Sequence, residues 1–138
     1  MPKPPLFCNL YRCLVKARDR SEKIAKKEKL DKKLCGLCAR GSAILYTLLD
    51  KQEIKAEIIR TRADYCHCYV RVDNYILDIS ATQFGKGRYC IWDSRHTFLG
   101  EWTKIKTVYN NINQLKTDQI EEGWPKSQII KDTDYDTL

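Results

Sequence analysis

The chain has 138 residues, 43% of them hydrophobic, with 25 Lys/Arg against 18 Asp/Glu, which fits one domain whose core needs no disulfide or metal staple. There is no run of eighteen apolar residues, so no membrane span is expected, and Met1-Pro2-Lys3-Pro4-Pro5 opens no stretch of signal-peptide length, so a cytoplasmic protein is expected. Seven cysteines without a secretory signal point to a reducing compartment and to thiols, some with a catalytic or metal-binding role.

In chain order, Pro2 to Pro5 is an extended lead-in. Leu6 to Arg18 carries Leu6, Leu10, Cys13, Leu14 and Ala17 at helical spacing. Ser21 reads as the cap of a second, exposed helix running to about Lys33. Residues 1–38 hold eleven Lys/Arg against four Asp/Glu, and residues 39–138 hold fourteen of each, so the whole positive excess lies in this basic N-terminal region. Such a face attracts acidic partners or nucleic acid, although no RNA- or DNA-binding signature with interleaved aromatics accompanies it, and a solvated helix face is the plainer reading.

Gly36 breaks the pattern, and Cys38 onward reads as a helix buried on much of its circumference through Ala39, Ala43, Ile44, Leu45, Leu48 and Leu49. Ala39, Gly41, Ser42 and Ala43 leave room for backbone or a substrate to approach. Ile54 to Arg60 alternates as a strand. His67 to Asp78 reads as a hairpin with Asp73-Asn74 at its turn. A two-residue loop pairs Val72 with Tyr75, Val70 with Leu77 and Cys68 with Ile79, and these six residues form one apolar face. The other face carries His67, Tyr69, Arg71, Ile76 and Asp78, with Asp78 diagonal to His67. A slip of one residue would destroy the apolar face and separate His67 from Asp78, so hydrophobic pattern and polar pairing demand the same register. Ser80 to Tyr89 reads as loop, Cys90–Trp92 and Trp102–Tyr109 as strands, and Asn113–Glu122 as a helix stopped by Gly123 and Pro125. The acidic end, Asp132 to Leu138, is expected to fray.

A cysteine at a helix start, followed by a histidine and an aspartate on adjacent strands, is a constellation for nucleophilic catalysis by a thiol. A helix N-terminus and an imidazolium both favour the thiolate. Asp78 would orient the His67 ring, and backbone N–H groups at the helix start, including that of Cys38, would receive an oxyanion. Water would then resolve the acyl-enzyme by hydrolysis or deamidation, or an amine by transamidation.

The segments Cys38-Ala39-Arg40-Gly41-Ser42-Ala43-Ile44-Leu45, His67-Cys68-Tyr69-Val70-Arg71-Val72-Asp73 and Asp78-Ile79-Ser80-Ala81-Thr82-Gln83-Phe84 resemble the transglutaminase-like branch of the papain-like cysteine enzymes, in its small bacterial or phage members. The resemblance covers roughly residues 34–85. It implies an α+β papain-like core, with Cys38 as nucleophile, His67 as base, Asp78 as orienting residue, a peptide or protein amide as substrate, and no cofactor. Many relatives carry Ala-Trp after the histidine where this chain has Cys68-Tyr69, and the upstream oxyanion glutamine of papain proper has no counterpart. Gln83 is a possible accessory donor or a structural residue of its loop. Cys35 competes with Cys38 as nucleophile, or serves as a resolving thiol; the Gly41-Ser42-Ala43 that follows favours Cys38.

The expected organisation is a single domain: a basic helical region (1–33), a catalytic core (34–109) and a C-terminal extension (110–138). A second reading is a zinc site from Cys35, Cys38, Cys66, His67 and Cys68. Against it, neighbours in a strand point to opposite faces, and Cys68 is needed for the apolar face. A third is a non-catalytic binding module that uses the basic region. Cys8, Cys13 and Cys90 carry no motif and read as small buried hydrophobes. His96 reads as an exposed loop residue, and Trp92, Trp102 and Trp124 as core.

Overall fold

A computed structural model describes residues 4–30, 36–62, 67–84, 86–95, 104–136 and 138. It is α+β: helices α1 (Pro4–Lys27), α2 (Cys38–Lys51) and α3 (Ile112–Glu122) accompany strands β1 (Glu57–Thr61), β2 (Cys68–Val72), β3 (Tyr75–Asp78), β4 (Cys90–Asp93) and β5 (Ile105–Tyr109). The strands form one antiparallel sheet in the order β4-β3-β2-β1-β5. Among the described residues no helix is long and apolar enough to cross a membrane.

The two helices expected in the basic region are one. Ser21 does not cap a new helix; its hydroxyl donates to the Ala17 carbonyl four residues back, at 2.7 Å. Ser21 also lies on the same buried stripe as Leu10, Leu14, Ala17 and Ile24, so the apolar face runs through it without a break. The helix ends where Lys29 turns to φ 57° and Leu30 N–H closes back on the Ala25 carbonyl.

Gly36, at φ 84°, makes the turn into α2. The first eight residues of α2 are all buried. Its small residues admit the fold itself: a Cβ on Gly41 would sit 2.0 Å from Ile79 Cδ1 and 3.0 Å from Ser21 Oγ. Gly41 therefore lets α1, α2 and the turn after β3 close on one another.

The hairpin has the expected register, Val72 opposite Tyr75 and Val70 opposite Leu77, with Asp73 at φ 51° in its turn. Cys68, Val70, Val72, Leu77 and Ile79 join α1 and α2 in the main core, with Tyr75 packed against it. The opposite sheet face is also covered in part: Ile59, Tyr69 and Ile76 form a smaller cluster with Trp92 and Ile105 against it. Trp124 is buried, with the Arg60 guanidinium over its ring at 4.5 Å. Cys13 and Cys90 are buried as expected, but Cys8 is exposed, because it lies off the buried stripe of α1. Trp102 and His96 lie outside the described residues.

Asn111 caps α3 by accepting from Gln114 N–H at 3.0 Å, and Gly123 ends it at φ 64°. The described residues beyond are held by buried contacts rather than left as a frayed end. Arg40 and Asp134, each 1% exposed, form a two-point ion pair at 2.8 and 3.1 Å, and Glu28 closes on the other side of the guanidinium. Lys131 N–H also donates to Asp134 at 3.0 Å. The acidic end is thus partly a buried counter-charge for Arg40, which composition alone disguises as a solvated tail.

Arg40→Ala would leave Asp134 buried without its cation, and the expected loss is about 3–5 kcal/mol in urea unfolding; a loss below about 1 kcal/mol would contradict the role given to this pair. The Glu28 carboxyl is held down at about 2, chiefly by its hydrogen bond to Arg40. Its contribution is therefore complete above the ordinary carboxylate range and fades as pH falls from there through about 2. Acid unfolding of Glu28→Gln should accordingly show a shallower loss of stability in that window.

Candidate active site

Three elements meet at one point: the start of α2 supplies Cys38, the residue before β2 supplies His67, and the last residue of β3 supplies Asp78. His67 Nε2 and Asp78 Oδ2 are 2.6 Å apart. The other carboxylate oxygen accepts from Ser80 N–H at 2.9 Å and faces Ser80 Oγ at 3.4 Å. Asp78 is fully buried, so these partners replace the water a carboxylate requires. The turn that carries Ser80 is held from α1, where the buried Arg18 donates at 2.8 Å to both the Ile79 carbonyl and Thr82 Oγ1. Gln83 donates its amide N–H to Ser80 Oγ at 3.3 Å, which places it beside the His67 ring, with its amide nitrogen 3.3 Å from Nδ1.

The Cys38 sulfur is hydrogen-bonded by both Cys68 and His67. Strand alternation predicts that His67 and Cys68 diverge. Yet both reach the same sulfur, although Thr61 N–H donates to the His67 carbonyl at 2.9 Å and so extends the ladder to His67. A third contact comes from the C-terminal region. Gln128 Nε2 donates to Cys38 Sγ at 3.2 Å, while its Oε1 accepts from Ala39 N–H at 3.0 Å. One amide thus serves both the sulfur and a backbone donor in the first turn of α2, where helices leave N–H groups open. Gln128 is itself placed by the buried Gln119, which donates to its carbonyl at 2.6 Å and accepts from Ile130 N–H at 3.1 Å.

The electrostatics follow from these contacts. The Cys68 hydrogen bond is the largest influence on Cys38; with the charge and hydrogen bond of His67 and the Gln128 amide, it overcomes burial and holds the thiol well below its ordinary range. Burial disfavours a charged His67 ring, but Asp78 and Cys38 outweigh it and raise the ring to about 10. Both shifts favour the charged pair, a thiolate on Cys38 beside an imidazolium on His67. Such a pair can attack an electrophilic carbon and then deliver a proton. Cys38 is 1% exposed and His67 3%, so the pair is closed over in this state.

Of the residues expected at the site, Cys38, His67, Asp78 and Gln83 are brought together. Cys35 lies outside the described residues, as does Cys66. Among the described residues no group of three or more His, Cys, Asp or Glu is arranged to hold a metal ion. Gln128, Arg18 and the contact between Cys68 and Cys38 were not foreseen. Gln128 stands ninety positions from Cys38 in a Pro125-Lys126-Ser127-Gln128 turn with no distinguishing pattern. Comparison of the chain with protein-family models, with curated proteins and with solved structures gives no match.

The pH profile of Cys38 alkylation by iodoacetamide reads the thiolate fraction whatever the access to the sulfur. Its inflection is expected well below the ordinary thiol range, and His67→Ala should move it upward by at least about one unit. An inflection in the ordinary range that is unmoved by His67→Ala would contradict the pairing.

Proposed function

We propose that this protein is a cysteine hydrolase or acyltransferase that acts on an amide of a peptide or protein, built on a papain-like core of the transglutaminase-like type. The observation that carries this reading is the chain of contacts from Cys38 to His67 to Asp78, the last at 2.6 Å. Nucleophile, base and orienting carboxylate stand in the order this chemistry needs. The antiparallel sheet with a cysteine-bearing helix packed on it also supports this type of core.

In this mechanism Cys38 Sγ adds to the carbonyl carbon, and the carbonyl electrons move to oxygen. Gln128 Nε2 and the backbone N–H of Cys38 at the helix start are the donors for that oxyanion. Collapse breaks the C–N bond, and His67 gives its proton to the departing amine, leaving a thioester on Cys38. Neutral His67 then takes a proton from water or an incoming amine as it attacks, the C–S bond breaks, and the thiolate returns. Because the pair is closed over, the cycle includes an opening step that uncovers Sγ. In this reading the Gln128 amide stays on the sulfur side and turns from thiolate to oxyanion.

The test is acyl-enzyme formation from an activated ester, p-nitrophenyl acetate, followed by intact mass and peptide mapping, and then turnover of glutamine-containing peptides with and without a primary amine. A single acetyl group is expected on Cys38, and none on Cys38→Ser. His67→Ala should slow acylation by about 10²–10⁴-fold, and Gln128→Ala by about 10²-fold. Acetyl spread over several cysteines, or a rate indifferent to His67→Ala, would overturn the reading.

A further inference from the structure

The Cys68 thiol that touches Cys38 makes or breaks no bond in the acyl-transfer cycle. Cys68 opens β2, is 1% exposed, and packs in the main core with Cys38, also 1% exposed. Neither is in a disulfide. The Cys68 thiol donates directly to the Cys38 sulfur. Core cysteines usually behave as small hydrophobes among carbon neighbours. Here one of them meets a second sulfur that is flanked by an imidazole and an amide. Peroxide oxidation follows thiolate character and access; the opening that uncovers Sγ admits the peroxide, and the neighbouring thiol stands ready to resolve the product.

We propose that Cys38 and Cys68 form an oxidative modification site, in which a peroxide converts the two thiols to an intramolecular Cys38–Cys68 disulfide that dithiol reductants reverse. In the first step the Cys38 thiolate attacks one peroxide oxygen. An S–O bond forms, the O–O bond breaks, and the departing hydroxide takes a proton to become water. In the second step the Cys68 sulfur attacks the sulfenic sulfur. The S–S bond forms, the S–O bond breaks, and hydroxide leaves as water with the proton Cys68 gives up. Two thiols lose two electrons, and one hydrogen peroxide becomes two waters. Forming the disulfide closes the sulfurs from hydrogen-bond contact to roughly 2.05 Å. Without a resolving thiol, a sulfenic acid proceeds to the irreversible sulfinic acid. The disulfide removes the nucleophile, so the site is also a reversible off-switch; that consequence rests on the reading of Cys38 as nucleophile, whereas the disulfide itself does not.

The experiment treats the full-length protein with hydrogen peroxide, blocks remaining thiols with iodoacetamide and maps tryptic peptides without reduction. Residues 34–40 carry both Cys35 and Cys38, and residues 63–71 carry both Cys66 and Cys68. The map is therefore repeated on the Cys35→Ser, Cys66→Ser double variant, in which a link between these peptides can only be Cys38–Cys68. The linked peptide is expected in both proteins, and dithiothreitol should restore Cys38 labelling to nearly its starting level. In Cys68→Ser, whose fold is checked by its far-ultraviolet spectrum, Cys38 should go on to sulfinic acid and recover less than about one tenth of its labelling. Sulfinic acid on Cys38 of the wild-type protein without the link would overturn the proposal, as would a link that disappears in the double variant. The disulfide is read by mass alone. Its presence with no acylation by p-nitrophenyl acetate would sink the proposed function and leave the oxidation site standing; its absence with intact acylation would do the reverse.

Discussion

The 2.6 Å contact between His67 and Asp78 is the interaction on which the site depends. It exists only in one hairpin register, the same register that buries Cys68, Val70, Val72, Leu77 and Ile79 against the helices. A slip would expose those apolar groups to water at a cost of about 1.5–3 kcal/mol for each large side chain. The core therefore enforces the polar pairing. Asp78 cannot wander, because Ser80 holds its second oxygen and Arg18 holds the turn that carries Ser80. The order of causes runs from apolar alternation to register, from register to His–Asp contact, and from that contact to a raised imidazole.

Burying opposite charges in a dry site costs more than their attraction returns unless hydrogen bonds satisfy both partners. The fold meets that condition at the Cys38 sulfur with donors from three places: Cys68 at the start of β2, His67 just before it, and Gln128 from the segment after α3. The last explains why the C-terminal region is so firmly pinned. Arg40, two residues into α2, grips Asp134, while Gln119 fixes the backbone at the Gln128 carbonyl and the Ile130 N–H. The part of the chain that composition marks as an acidic tail completes the environment of a cysteine near the other end.

Much of this was legible in the sequence, and for reasons that separate cleanly. The hairpin was legible because strand alternation and a two-residue turn leave one register that satisfies the apolar face, and that register locates His67 relative to Asp78. Cys38 was legible from the small residues and Gly36 around it. The merging of two helices into α1 was not, since Ser21 suits a cap by composition and its use within the helix depends on what covers it. Gln128 and Asp134 were invisible because both act through tertiary contacts spanning about ninety positions, and neither hydrophobic periodicity nor local turn chemistry records such contacts. The meeting of Cys68 with Cys38 escaped notice for a subtler reason. Alternation assigns Cys68 to the apolar face correctly, but it does not reveal that the helix residue opposite is the reactive sulfur.

The proposed chemistry stands on the state of one proton, and that proton can be observed. The chain has two histidines, so a ¹⁵N-detected titration of the imidazole nitrogens, assigned with His96→Gln, isolates His67. The expected result at neutral pH is an imidazolium with both ring nitrogens protonated, losing its proton only near about 10, and shifting toward the ordinary histidine range in Asp78→Asn. A neutral His67 ring at pH 7, titrating near the unperturbed value of about 6.5 and indifferent to Asp78→Asn, would contradict the account at its centre.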